Sequence, residues 1–183
     1  MVKVAVNIVT FNSATDIGAC IDSLEKQTFT DFQVHVLDNA SRDNTINVVM
    51  PHRVELIRSQ VNTGFAGGHN DLIRRSPAAY VLVLNPDTIL RPNFIEEMVR
   101  ALDARPDAAS ATGKLLRLDG KTIDSTGIIM LRNQRHLDRG ADEPDLGQYD
   151  RPGDVFGPSG AAALYRVSAL QDVAIGNQYF DED

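Results

Sequence analysis

Two aspartates stand where apolar runs stop. DFQVHVLD (31–38) ends on Asp38 and YVLVLNPD (80–87) on Asp87, while the first such run, VKVAVNIVT (2–10), ends on Thr10, with Asn12 just beyond it. Ionised carboxylates only accept hydrogen bonds, so each can take an N–H from a ligand or hold a cation. Pro86 has no N–H for a sheet ladder. A strand over YVLVLN must stop there, and the carboxylate after it stands at the strand's end rather than inside the sheet. Taken alone, Asn85-Pro86-Asp87 reads about as well as an ordinary turn. The other reactive side chains read as structural. Cys20 shares a helical face with Ile17, Ile21 and Leu24, and as the sole cysteine it can form no internal disulfide. His35 alternates with Val34 and Val36 on a strand, His69 is a polar helix-start residue, and His52 and His136 are expected at the surface without partners.

Charge narrows the ligand. The chain has 18 Lys+Arg against 25 Asp+Glu, a net charge of -7, which leaves no broad basic surface and argues against nucleic acid as a partner. An anionic diphosphate beside clustered carboxylates would be repelled unless a divalent cation came between them. Mg2+ or Mn2+, hard ions that take one or two carboxylates plus phosphate oxygens, meets that need, with Asp87 as the ligand. Two other nucleotide chemistries are disfavoured. TFNSATD after the first run offers no glycine for a dinucleotide fingerprint, and no G-x-x-x-x-G-K-[ST] occurs.

The elements that must position these residues alternate. Strand patterns over VKVAVNIVT, DFQVHVLD, VELIRS and YVLVLN are separated by helical ones. NSATDIGACIDSLEKQ is expected to open on a Ser13/Asp16 capping box and end near Gln27, and SRDNTINVVM to stop at Pro51. GFAGGHNDLIRRS reads as a Gly-rich turn entering a helix, and RPNFIEEMVRALDAR as a helix with Pro92 near its first position. Such alternation predicts an α/β fold with a mainly parallel sheet and helices on both faces. With strand order 3-2-1-4, the ends carrying Asp38 and Asp87 share one edge, their main chains roughly 10 Å apart, a span that suits a nucleoside diphosphate.

After about residue 107 the pattern changes. Asp119-Gly120 marks a hairpin, residues 132–154 read as a long functional loop or mobile segment, and DVFGPSGAAALYR returns to a small-residue strand. One domain over 1–183 is expected, with a nucleotide-binding half (1–106) and the start of a sugar and acceptor half (107–183) that adds a mixed-sheet part. No apolar stretch reaches the roughly 20 residues of a membrane span and the start lacks a signal-peptide layout, so a cytoplasmic location is expected.

The ordered set VNIVTFNSATDIGACIDSLEKQTFTDFQVHVLDNASRDNT, NTGFAGGHN, VLVLNPD and GPSGAAALYR resembles the donor-site segments of glycosyltransferase family 2, inverting enzymes of GT-A fold, and among them the rhamnosyltransferase-like members. The resemblance runs from Val4 to the end. It implies that Thr10 and Asn12 lie by the nucleotide base and that Asp38 accepts the N3–H of a pyrimidine. Asn39, Asn62, Gly64, Phe65 and Gly67 would pack along the nucleotide, with Gly68 also easing the backbone's approach, although a Gly-rich turn that merely starts a helix explains the same residues. Asn85 would touch the sugar or ribose and Gly160 the transferred sugar. Asp87 matches the last carboxylate of an Asp-any-Asp motif whose first position here is Asn85, a departure that puts metal dependence in question. The implied partners are a dTDP- or UDP-sugar, rhamnose within that, and a glycan or lipid-linked acceptor that brings the protein to the inner face of the membrane as a peripheral contact. The family's general base belongs to an acidic pair shortly after a segment like YFDED, so the base is expected beyond Asp183. Asp181, Glu182 and Asp183 are poor substitutes at a mobile end. Donor binding with slow or absent transfer is the expectation, and a catalytically silent nucleotide-sugar-binding or interaction module of the same fold is the alternative.

Overall fold

Six of the seven residues of Val4–Thr10 are buried, because both faces of that strand are covered. The structure, a computed structural model, describes residues 2–182. In chain order it contains β1 (Val4–Thr10), α1 (Ile17–Glu25), β2 (Phe32–Asp38), α2 (Thr45–Val49), β3 (Glu55–Arg58), α3 (Gly64–Arg75), β4 (Tyr80–Leu84) and α4 (Phe94–Ala104). Then follow β5 (Ser110–Thr112), β6 (Leu115–Leu116), β7 (Ile123–Ser125), β8 (Ile128–Met130), β9 (His136–Asp138), β10 (Ala162–Arg166) and α5 (Val167–Val173). The main sheet has the order β3-β2-β1-β4-β10-β5. β1, β2, β3 and β4 run parallel, as expected from the alternation, and β10 is antiparallel to both β4 and β5.

Strand periodicity sorts the core into two layers. Val4, Val6 and Ile8 face one side with Ile17, Ile21 and Leu24 of α1 and Ile95, Met98, Val99 and Leu102 of α4. Ala5, Val81 and Val83 face the other, with Ile73 of α3 and Leu170 of α5. Burying a Leu or Ile side chain stabilises by about 1.5–3 kcal/mol, so both layers hold the strand ends in place.

Three local expectations are corrected. The Ser13/Asp16 capping box does not form: α1 starts only at Ile17, and its cap residue Asp16 makes no side-chain cap bond. The preceding N–H groups are taken from a distance instead, Ser13 N–H donating to Thr45 Oγ1 (2.8 Å) and Ala14 N–H to Asp43 Oδ2 (3.1 Å). Of the glycines of GFAGGHN only Gly64, at φ 73°, makes the expected turn into the helix; Gly67 and Gly68 lie within α3. Gly68 is needed there because a Cβ would sit 2.8 Å from both methyls of Val9, so α3 rests directly on β1. Residues 132–154 are also more ordered than a mobile loop: β9 pairs with β8, and Lys114 Nζ binds Asp145 Oδ1 (2.8 Å) and Asp150 Oδ1 (2.5 Å). The Asp119-Gly120 hairpin forms, with Asp119 Oδ1 accepting from the N–H groups of Lys121 and Thr122. No helix among the described residues is long and apolar enough to cross a membrane.

Candidate functional site

Parallel pairing sets Thr10 of β1 directly opposite Asp38 of β2. Asp38 is 2% exposed and its Oδ2 accepts the Ser41 N–H at 3.2 Å. Its Oδ1 and the Thr10 Oγ1 are buried and have no partner among the described residues. Buried polar atoms are nearly always hydrogen-bonded, and an unpartnered one costs about 1–3 kcal/mol. Two of them side by side at strand ends form an acceptor and a donor-acceptor ready for a ligand's polar edge.

The flanking loops are fixed by side chains that the sequence assigned to ligand contact. Asn39 Nδ2 donates to Asn62 Oδ1 (2.8 Å) and Gly64 O (3.0 Å), and its Oδ1 accepts the Thr63 N–H (3.0 Å). Asn62 Oδ1 also takes the Gly64 N–H at 2.8 Å. Asn12, at φ 53°, accepts the Arg42 N–H on its Oδ1 (2.8 Å), while its own N–H donates to Ser41 Oγ (2.9 Å). These asparagines are a frame: they tie the ends of β1 and β2 to the start of α3, where Gly64 turns at φ 73°.

The start of α3 meets the start of β10. Phe65 is 46% exposed, and a Cβ on Gly160 would lie 3.8 Å from its ring. Gly67 is buried, and a Cβ there would come within 2.9 Å of Thr63, so packing within the helix's own first turn accounts for that glycine. His69 is fully buried, not a polar helix-start group: its ring lies 4.4 Å from Phe65, its Nδ1 has no partner among the described residues, and burial drives its pKa down to about 3. His52 is also better placed than expected, its Nδ1 3.2 Å from Glu25 Oε1. His136, by contrast, is exposed, though its ring lies 5.6 Å from Phe156.

Asn70 was missed. Wholly buried on α3, it donates from Nδ2 to Phe180 O and Glu182 Oε1 (both 2.8 Å) and accepts the N–H groups of Tyr179 and Phe180 on Oδ1 (both 2.9 Å). The segment 179–182 is therefore clamped against α3, contrary to the mobile end expected for it, and Glu182 is committed to that clamp. Asp181 is exposed, and Asp183 lies outside the described residues. The only hint in the sequence was an asparagine, a poor helix former, in the middle of a helix.

At the end of β4 the Asn85 N–H donates to Ala161 O (2.9 Å) and the Thr88 N–H returns to Asn85 O (3.2 Å), closing a turn around Pro86 and Asp87. The turn reading and the strand-end reading thus both hold. Asp87 is exposed beside α1: the buried Cys20 thiol donates to Asn85 O at 3.5 Å, and burial, then the negative charge of Asp87, pushes its pKa up to about 12. The core assignment of Cys20 stands. Strand order puts Asp38 and Asp87 on one edge, two strand spacings apart, about 10 Å. An exposed carboxylate next to an amide suits a hard cation that draws its other ligands from phosphates and water. A separate cluster of possible ligands, Asp22, Glu25 and His52, lies at the far end of α1. The cavity of about 790 Å³ lined by Leu24, Phe32 and Val54 is likewise at the opposite end of the sheet, and none of Thr10, Asp38 and Asp87 lines it.

The model of the family described as Glycosyl transferase family 2 matches residues 5–174. A chondroitin synthase of Escherichia coli is 32% identical over 98 residues, 51% of this chain and 14% of that protein. Among solved structures, residues 1–349 of TarS from S. aureus in complex with UDP superpose with a TM-score of 0.68 at 19% identity, covering 98% of this chain and 50% of that one. The mannosyltransferase PcManGT from Pyrobaculum calidifontis, in complex with GDP-Man and Mn2+, gives 0.69 at 18% identity over 100% and 48%. The chain thus spans about half the length of these solved relatives, and the likeness is one of fold.

Proposed function

From its membership of glycosyltransferase family 2, to which this chain belongs, we propose that it binds a nucleoside-diphosphate sugar at the β1-β2-β4 edge for transfer of the sugar, with inversion, to a glycan or lipid-linked acceptor. The observation that carries this reading is the unpartnered pair of buried atoms, Thr10 Oγ1 and Asp38 Oδ1. The family resemblance, not the carboxylate itself, points to a UDP or dTDP donor, whose N3–H would donate to Asp38; a carboxylate that only accepts suits that bond. Asn39, Asn62 and Asn12 hold the loops around the base, Phe65 and Gly160 border the place for the sugar, with rhamnose as the proposed sugar, and Asn85 reaches the ribose or sugar. Asp87, with the amide oxygen of Asn85, would hold Mg2+ or Mn2+. When bound, such an ion offsets the charge of the departing diphosphate. The base that takes the acceptor hydroxyl's proton is assigned to none of the described residues, and Glu182 is engaged by Asn70. The second reading is a silent module of the same fold that binds donor without transferring it.

Calorimetric titration of UDP, dTDP and GDP, each with and without Mn2+, tests the donor site. A pyrimidine diphosphate should bind more tightly than GDP, and Asp87→Ala should remove the gain from Mn2+ while leaving binding without metal intact. A preference for GDP, or an Mn2+ effect that survives Asp87→Ala, would overturn the assignment. Donor hydrolysis or transfer that depends on Asp87 separates the enzyme from the silent module.

A further inference from the structure

The β8–β9 hairpin exposes apolar side chains on both faces. Ile129 pairs across the hairpin with Leu137 and Met130 with His136. Ile129, Met130, Leu131 and Leu137 are each 36–43% exposed, and Phe156, whose N–H donates to Ile128 O, is 62% exposed. A two-stranded hairpin that shows apolar groups to water on each side is short of cover. Its charge is as distinctive. Arg132 and Arg135 bracket the turn, exposed and without an ion pair among the described residues, although the chain as a whole carries -7. Arg139 at the hairpin's base is instead held by Thr126 and lies over the Tyr149 ring, and Asp138 is the hairpin's one acidic group.

We propose that the β8–β9 hairpin docks the protein on an anionic lipid surface. Apolar side chains of this kind enter the boundary between headgroups and acyl chains, and the free arginines meet anionic headgroups. Exposed apolar residues alone would suit a protein groove equally well, but two unpaired cations at the tip of an acidic chain call for a partner more negative than the chain itself. The placement also fits the proposed reaction. Ile128 N–H donates to Gly157 O at 2.8 Å, and Gly157 is three residues before Gly160, so the hairpin's root is within roughly 10 Å of chain from the place proposed for the sugar. The inference deepens the proposed function by naming the surface through which a lipid-linked acceptor would be met, and rests on it only there.

The test is sedimentation of the full chain with vesicles of phosphatidylcholine alone and of phosphatidylcholine with phosphatidylglycerol, at low and physiological salt. Binding only to the anionic vesicles, weakened by salt, is expected. The Arg132→Ala/Arg135→Ala variant should lose about fivefold per arginine, on the order of 25-fold together, Leu137→Ser should weaken binding further, and Arg132→Lys/Arg135→Lys should restore it. Circular dichroism confirms that each variant folds. Equal binding to neutral vesicles, no binding, or an unaffected double variant would overturn the proposal. So would a concentration-dependent dimer abolished by Leu137→Ser, which would assign the face to a second copy. Pyrimidine diphosphate titration of the arginine variant should be unchanged, so the donor reading and the docking reading can fail separately.

Discussion

Asp38→Asn separates the contribution of a residue to its ligand from its contribution to the fold. In the free protein the carboxylate is 2% exposed, with one oxygen bonded to Ser41 N–H and the other unpartnered. The amide keeps the Ser41 bond through Oδ1 and places a neutral NH2 where the unpaired oxygen stood. The amide N–H groups are themselves unpartnered there, so exchanging a buried charge for a neutral group relieves at most about 1–3 kcal/mol. For a chain of this length each kcal/mol moves the melting midpoint by roughly 2–4 °C, so the variant should melt as high as the parent or several degrees higher. Ligand binding should move the other way. A hydrogen bond to a charged group is worth about 1.5–3 kcal/mol, so the Kd for UDP should rise by about 10- to 150-fold. Scanning calorimetry and titration of the same preparation read both quantities. A variant that melts well below the parent while binding UDP unchanged would refute the reasoning, since Asp38 would then be a structural group and not a ligand-binding one.

Gly68→Ala drives a Cβ to within 2.8 Å of two Val9 methyls, and overpacking of that kind should lower the unfolding free energy in urea by about 1–3 kcal/mol. Asn70→Ala leaves the Tyr179 and Phe180 N–H groups without their acceptor, so their amide exchange should accelerate by about 10- to 100-fold, more than that of β4. His69 is held neutral in the fold, with a pKa of about 3 against an unfolded value near 6.5. As pH falls below about 6.5 the unfolded chain takes a proton that the fold refuses, so stability declines progressively toward pH 3. By pH 5 the loss from this group is about 2 kcal/mol, and it should vanish from the difference between pH 7 and pH 5 in His69→Gln.

The parallel core was legible because its signals are local. Apolar β-branched runs marked strands buried on both faces, and Pro86 marked where β4 must stop. The edge holding Thr10, Asp38 and Asp87 followed from strand order alone. What escaped the sequence depends on partners far along the chain. The start of α1 moved because Asp43 and Thr45, some thirty residues away, supply the bonds a local cap would have made. Gly68 is a glycine because of Val9, and Asn70 is a clamp because of residues more than a hundred positions later. Asn12, Asn39 and Asn62 lie at the ends of β1 and β2 and the start of α3, but which of their amide atoms remain available is decided by the bonds they make there.

The antiparallel return of β10 beside β4 bears on where the molecule can be cut. Every residue of Tyr80–Leu84 is buried, and Ala162–Arg166 covers one side of that strand from the other end of the sequence. Severing the polypeptide near residue 106 would strip that cover and leave an open, wholly apolar border able to add strands from other molecules. The stretch proposed to carry most of the nucleotide contacts is therefore not a detachable module: its solubility is supplied by a segment synthesised some eighty residues later.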